Sequence, residues 1–274
     1  MNPAAAGVWK ARARALEENR QAARRGNPGS VPDLRRTLQA IATTSDACGR
    51  SRVESLARGL ARALARPRRL AVDRHLLDRV GRLGLLSPEA VAALVAHWEK
   101  QTQEATAKLS RALDGRRMRR LRRRLERLAR KESARTLDRI SSAHRDAAAA
   151  VARSLDGRDE GALRRGRRAA RRARSLAEDL AALGLPEPPD AARERALDEA
   201  LGRWHDLRAF RKRLARSRAE SERRGTVVLA AEIERLLAVL EPALLSARAG
   251  VVAASRGGGR VVSLRTSLRA RARG

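Results

Sequence analysis

The chain has 274 residues, a formal net charge of +31 and a sequence pI near 11.9. Hydrophobic residues make up 43% but aromatic residues only 1%, with no Tyr, one Phe and three Trp. A core must then be built from Leu, Ala and Val, which suits closely packed helices and counts against a β-sandwich; the single Cys48 excludes an intramolecular disulfide and zinc-finger spacing, and fits a reducing cytoplasm.

Helical periodicity dominates from end to end, and no segment alternates with period two over a strand's length. The opening MNPAAAGVWK lacks the long apolar run of a secretory signal and leads into an N-terminal helix over 1–27. RGNPGSVPD (25–33) ends that helix and opens the next, and Pro67 breaks or kinks the helix that contains SLARGLARALARP. In GLLSPE (84–89), Ser87 reads as an N-cap with Pro88 in the first helical position and Glu89 in the first turn. RRMRRLRRRLERLAR (116–130) spaces Met118, Leu121, Leu125 and Leu128 by three, four and three, a narrow apolar helix stripe.

DGRDEG (156–161) and GLPEPPD (184–190) are the remaining breaks. Between them, Leu163, Gly166, Ala170, Ala173, Ala177 and Leu180 keep one stripe, and Leu197, Leu201, Trp204, Leu207 and Leu214 keep the next. The tail, 256–274, is Gly-rich and then basic, and reads as flexible. No stretch of eighteen uncharged apolar residues occurs, so no membrane span is expected.

The charge is nearly all arginine, 57 Arg against five Lys. A guanidinium presents a planar fork of donors that grips phosphate oxygens two at a time, whereas an ammonium is a point charge. Part of this excess is what GC-rich codons would supply, but only 31 acids accompany it, so an anionic partner is expected. ALRRGRRAARRAR (162–174) places seven arginines in thirteen positions with no acid until Glu178. Like charges at i,i+4 cost roughly 0.2–0.5 kcal/mol per pair, which a purely structural helix would offset with interleaved Glu.

Two segment pairs lie over one another at nearly one offset. ALARPRRLAV (63–72) matches ALGRWHDLRA (200–209), and VPDLRRTLQAI (31–41) matches LRRGRRAARRA (163–173). This suggests two helical halves, 28–130 and 131–255. At these segments the chain resembles the CHAD family, the conserved histidine α-helical domain, over roughly residues 30–255.

The match is better in the second half. Arg165, Arg167, Arg168, Arg171, Arg172 and Arg174 fall where the family has Arg and Lys, and LDEALGRWHDLRAF aligns Gly202 and Asp206 with a later family helix. ALDGRRMRRLRRRLERL (112–128) is similar to the stretch that closes the family's first half. The namesake histidines are replaced by Pro32 and Arg164, and Arg69 stands in place of an Asp. In the first half Gln39, Ala40 and Ala42 occupy positions where basic residues are expected beside Arg35 and Arg36.

The resemblance implies an all-α fold of two pseudo-symmetric antiparallel halves around a basic central channel that binds inorganic polyphosphate. It also implies a cytoplasmic protein that docks on polyphosphate granules. The residues expected to bind are Arg164, Arg165, Arg168, Arg171, Arg172 and Arg174, with Arg35, Arg119, Arg120 and Arg123 assisting.

Non-specific binding to nucleic acid through phosphates stays open as a second reading. Single-strand binders, however, use aromatic platforms worth roughly 1–3 kcal/mol per stacked base, and this chain has few aromatic residues to offer. A protein-interaction scaffold with acidic partners is a third reading. His75, His97, His144 and His205 are scattered without metal-ligand spacing, and no P-loop or H-E-x-x-H occurs. EIERL (232–236) has paired glutamates but a helical setting. No enzyme, cofactor or metal is expected.

Overall fold

A computed structural model describes residues 3–27, 29–130, 135–155, 160–186, 188 and 190–255. The tail over 256–274 and most of the break at 156–161 lie outside the described residues. Those described form ten helices and no strand: α1 (Pro3–Arg24), α2 (Ser30–Ala47), α3 (Ser51–Ala63), α4 (Ala65–Arg82), α5 (Pro88–Asp114), α6 (Arg116–Arg130), α7 (Arg135–Leu155), α8 (Glu160–Ala182), α9 (Ala191–Arg223) and α10 (Val227–Ser255). The all-α expectation holds.

Local chemistry explains several boundaries. Ser87 caps α5 as expected: its Oγ accepts from the Ala90 N–H at 3.1 Å, and Pro88 opens the helix where its missing N–H costs nothing. The break near Pro67 falls just before it, because α3 ends at Ala63 and Pro67 sits in the first turn of α4. Gly115 separates α5 from α6. A Cβ there would lie 2.6 Å from the Arg111 carbonyl oxygen, so only glycine lets the chain bend at that point.

The described residues divide into two compact units, each built from two stretches: those up to Ala71 with those of Glu104–Arg195, and Val72–Gln103 with those from Ala196 to Ser255. This is a grouping by contact, whereas the halves 28–130 and 131–255 concern repetition. In the first unit Trp9 and Leu16 of α1, Leu34, Leu38 and Ile41 of α2, Leu60 of α3 and Ile140 of α7 share one core. Met118, Leu121 and Leu125 of α6 join it and Leu128 packs at its edge, so the stripe read from the sequence is the buried face. Each such side chain fully buried contributes about 1.5–3 kcal/mol.

In the second unit Leu207, Phe210 and Leu214 of α9 pack with Leu94 and Trp98 of α5 and with Ile233, Leu236 and Leu240 of α10. Trp98 meets Phe210 edge-to-face with ring centroids 6.4 Å apart. Arg213 lies over the Trp98 ring at 4.3 Å from its centroid and pairs with buried Asp73 at 3.1 Å. Over Val227–Ala254, α10 is long and apolar enough to cross a membrane, with mean hydropathy 1.7. Glu232, Glu234, Arg235, Glu241 and Arg248 interrupt it, so it holds no uncharged run of eighteen residues. One face of α10 belongs to this core and Glu232 accepts hydrogen bonds from the Ser87 backbone and hydroxyl, while Val228, Leu245 and Val252 stay exposed.

The helix that carries the arginine-rich segment is fixed by a buried ion pair. Arg12 of α1 reaches Asp179 of α8 at 2.8 Å and also donates to the Ser175 carbonyl at 2.9 Å. The Thr44 hydroxyl of α2 donates to the other Asp179 oxygen at 2.6 Å. Burial pushes the Asp179 carboxyl up to about 6, against the lowering pull of Arg12 and Thr44. A carboxyl easier to protonate in the folded than in the unfolded chain favours folding most in acid. On its account stability declines as pH rises from near 4 through about 6. Arg12→Met leaves the Asp179 charge without its cation, and chemical unfolding should register a loss of about 3–5 kcal/mol at neutral pH.

Candidate anion-binding site

Three helices of the first unit bring arginines to one recess of about 320 Å³. From α2 come Arg35, Gln39, Ala42 and Thr43, spaced four, three and one, which is a single helix face. The opposite face of α2 carries core residues Leu34, Leu38 and Ile41. From α3 come Arg58, Ala61 and Arg62, and from α8 come Arg168, Arg171 and Arg172, both at i, i+3, i+4 spacing. On α8 the reverse face buries Gly166, Ala170, Ala173, Leu176 and Ala177. Small side chains there allow a close approach to α7, against which α8 is extensively packed.

Six arginines therefore line a recess whose lining contains no carboxylate. Some of their forks are already engaged. Arg35 Nε donates to the Ala61 carbonyl at 3.2 Å, and Arg171 donates to the Gln39 side-chain oxygen at 3.1 Å. At the rim Asp46 pairs with Arg172, and Glu54 pairs with Arg58 at 2.8 Å. Neither Arg62 nor Arg168 has an ion pair or side-chain hydrogen bond among the described residues. Such an arrangement can offer several paired N–H donors to an oxyanion, with a rim of carboxylates that a stronger anion displaces.

Of the residues expected from the sequence, Arg35, Arg168, Arg171 and Arg172 meet here. The others do not line this recess. Arg164 and Arg165 lie exposed on the first turns of α8, and Arg174 turns towards Glu178 at 3.1 Å. Arg119, Arg120 and Arg123 are exposed on α6, where Arg119 donates to the Asp114 carbonyl. Gln39 and Ala42 stand in the wall at positions where the resemblance puts basic residues, and α3 supplies the charge in their place. Arg58 and Arg62 were missed by sequence reasoning; their i,i+4 spacing was the available signal.

The aromatic side chains are all internal: Trp9 and Phe210 are 0% exposed, Trp98 4% and Trp204 9%. No ring is left on which a base could stack. His144 Nε2 lies 3.1 Å from the buried Glu194 carboxylate inside the first unit, away from the recess. Among the described residues no group of His, Cys, Asp and Glu could hold a metal ion.

A helical bundle of this kind is the fold of a CHAD domain. The chain superimposes on the CHAD domain from the plant Ricinus communis with a TM-score of 0.67 and 18% identity, over 92% of this chain and 91% of that one. PptA from Streptomyces chartreusis is similar at a TM-score of 0.65 and 17% identity, over 93% of this chain and 99% of that one. No protein-family model matches the sequence, and no curated protein matches it. At these identities the likeness is one of fold.

Repulsion among the six arginines of the recess is a cost to the fold. Arg168→Gln should leave the melting temperature unchanged or raise it in the absence of anion, measured by calorimetry at low salt. A clear drop would mean that Arg168 is a structural residue.

Proposed function

We propose that the chain binds inorganic polyphosphate in the recess between α2, α3 and α8. The observation that carries this reading is the convergence of six arginines from three helices on one lining without a carboxylate. Each phosphate unit of such a polymer offers oxygens to two guanidinium N–H groups at once, and neighbouring units repeat the offer along the chain. A flexible, unbranched polyanion fits a recess of this size, whereas a DNA duplex is too wide to enter it. The CHAD-like fold supports the same ligand class, because the family resemblance implies polyphosphate.

The internal placement of all four aromatic rings favours a polymer without bases. The binding energy comes from Arg35, Arg62, Arg168 and Arg171, with Arg58 and Arg172 recruited once Glu54 and Asp46 give them up. The reading carries no catalytic step, cofactor or metal, and places the protein in the cytoplasm on polyphosphate granules.

Arg62→Gln combined with Arg168→Gln keeps a polar side chain at each position and removes the two guanidinium groups of this recess that no carboxylate or carbonyl engages. Affinity for long-chain polyphosphate should fall at least about tenfold, or ~1.4 kcal/mol, at unchanged helicity. Unchanged binding by titration calorimetry would move the site elsewhere on the surface.

A further inference from the structure

A second recess in the first unit, of about 530 Å³, opens where α2 turns into α3 and the end of α6 passes. It is lined by Arg50, Ser51 and Arg52 from the start of α3 and by Arg124 and Arg127 from α6, with Val53 and Leu128 forming its apolar floor. It shares no lining residue with the recess between α2, α3 and α8. None of its four arginines has an ion pair or side-chain hydrogen bond among the described residues. Elsewhere many arginines reach a carboxylate, as Arg14, Arg36, Arg74 and Arg224 do. The nearest acid on α3, Glu54, is drawn to Arg58 at 2.8 Å. Four guanidinium groups around one recess, three of them exposed and none with a carboxylate partner, make a local positive field that attracts an anion.

The backbone points the same way. The Ser51 and Arg52 amides that open α3 have no backbone carbonyl partner, whereas those of Val53 and Glu54 donate to the Arg50 carbonyl, and Arg50 offers no side-chain cap. The partial positive charge of that helix end adds to the four guanidinium groups. The turn itself is held: Arg139 of α7 donates to the Cys48 carbonyl at 2.9 Å, and Gly49 takes a φ of 67° that other residues rarely adopt.

We propose that this recess is a second, independent anion site that takes a compact oligophosphate group of two or three phosphate units. The group is either a free oligophosphate or the terminus of a longer chain. The arginines bind its oxygens in pairs, and the N–H groups of Ser51 and Arg52 meet the innermost phosphate. The volume exceeds what a single phosphate needs and falls in the range of small-molecule sites, roughly 300–1,000 Å³. This assignment stands whether or not polyphosphate fills the other recess.

The test is limited arginine labelling with phenylglyoxal on the full chain at about 150 mM salt, where diffuse attraction is screened. Modification is read residue by residue by mass spectrometry, with and without tripolyphosphate. Arg50, Arg52, Arg124 and Arg127 should be labelled at least about tenfold more slowly with ligand, and their half-protection concentration should not move in Arg62→Gln/Arg168→Gln. Arg124→Gln combined with Arg127→Gln should abolish protection of Arg50 and Arg52 while Arg62 and Arg168 keep theirs. Long-chain polyphosphate at equal chain-end concentration separates the sources. Equal protection identifies a chain terminus as ligand, and protection by tripolyphosphate alone identifies the free oligophosphate. Equal labelling of Arg124 and Arg127 with and without tripolyphosphate would overturn the assignment, as would protection that vanishes together with that of Arg168. Either result leaves the readout at Arg62 and Arg168, and with it the first site, to be judged by itself.

Discussion

The arrangement of the first unit depends on one buried ion pair. Asp179 lies on the inner face of α8, and without a cation its charge would be intolerable in an apolar setting. Arg12 of α1 and Thr44 of α2 satisfy its two oxygens, so three helices are fixed relative to one another at a single carboxylate. This fixes the rotation of α8 about its axis. With Asp179 turned inward, Ala170, Ala173 and Ala177 pack inside and Arg168, Arg171 and Arg172 face the recess. The same contact sets α2, whose Gln39 and Thr43 line the wall facing those arginines.

The second constraint is charge. A chain at +31 repels itself, and the fold relieves part of that repulsion through surface pairs such as Arg14–Glu18, Arg211–Glu241 and Arg224–Glu220. Exposed pairs of this kind contribute only about 0–1 kcal/mol each. The recesses are where the relief is withheld. Arginines gathered there with few carboxylates repel one another, and a bound anion would release that energy, which would link ligand affinity to fold stability. The rim acids Asp46 and Glu54 moderate this cost through their pairs with Arg172 and Arg58.

Much of the fold could be read in the sequence because it rests on local rules. The stripe of α6, the stripe of α9 and the Ser87 cap each follow from spacing or from one side chain's reach, and each is present in the structure. The arginine density of α8 likewise pointed to a helix that lines the recess. Which arginines of that helix face the site was not legible. Arg164 and Arg168 are one turn apart and look alike in sequence, yet only Arg168 lines the recess, because distant residues set how α8 sits. Arg12 and Asp179 belong to helices far apart in the chain, and no local pattern announces that they meet. Arg58 and Arg62 were hidden differently: in a run of Ala, Leu and Arg they read as the wet side of an ordinary amphipathic helix, and only the approach of α2 and α8 turns that side into a wall.

The central claim is that the arginines form a shaped site and are more than a diffuse charge. Competition binding of long-chain polyphosphate against duplex DNA and poly-U, at matched phosphate concentration and with salt raised from roughly 50 to 200 mM, tests it most directly. A shaped site predicts that polyphosphate keeps more than about a tenfold advantage at the high-salt end, where affinities that rest on counterion release alone have collapsed. Equal competition by DNA, with every affinity falling together, would contradict it and leave the charge as a general attraction for nucleic acid.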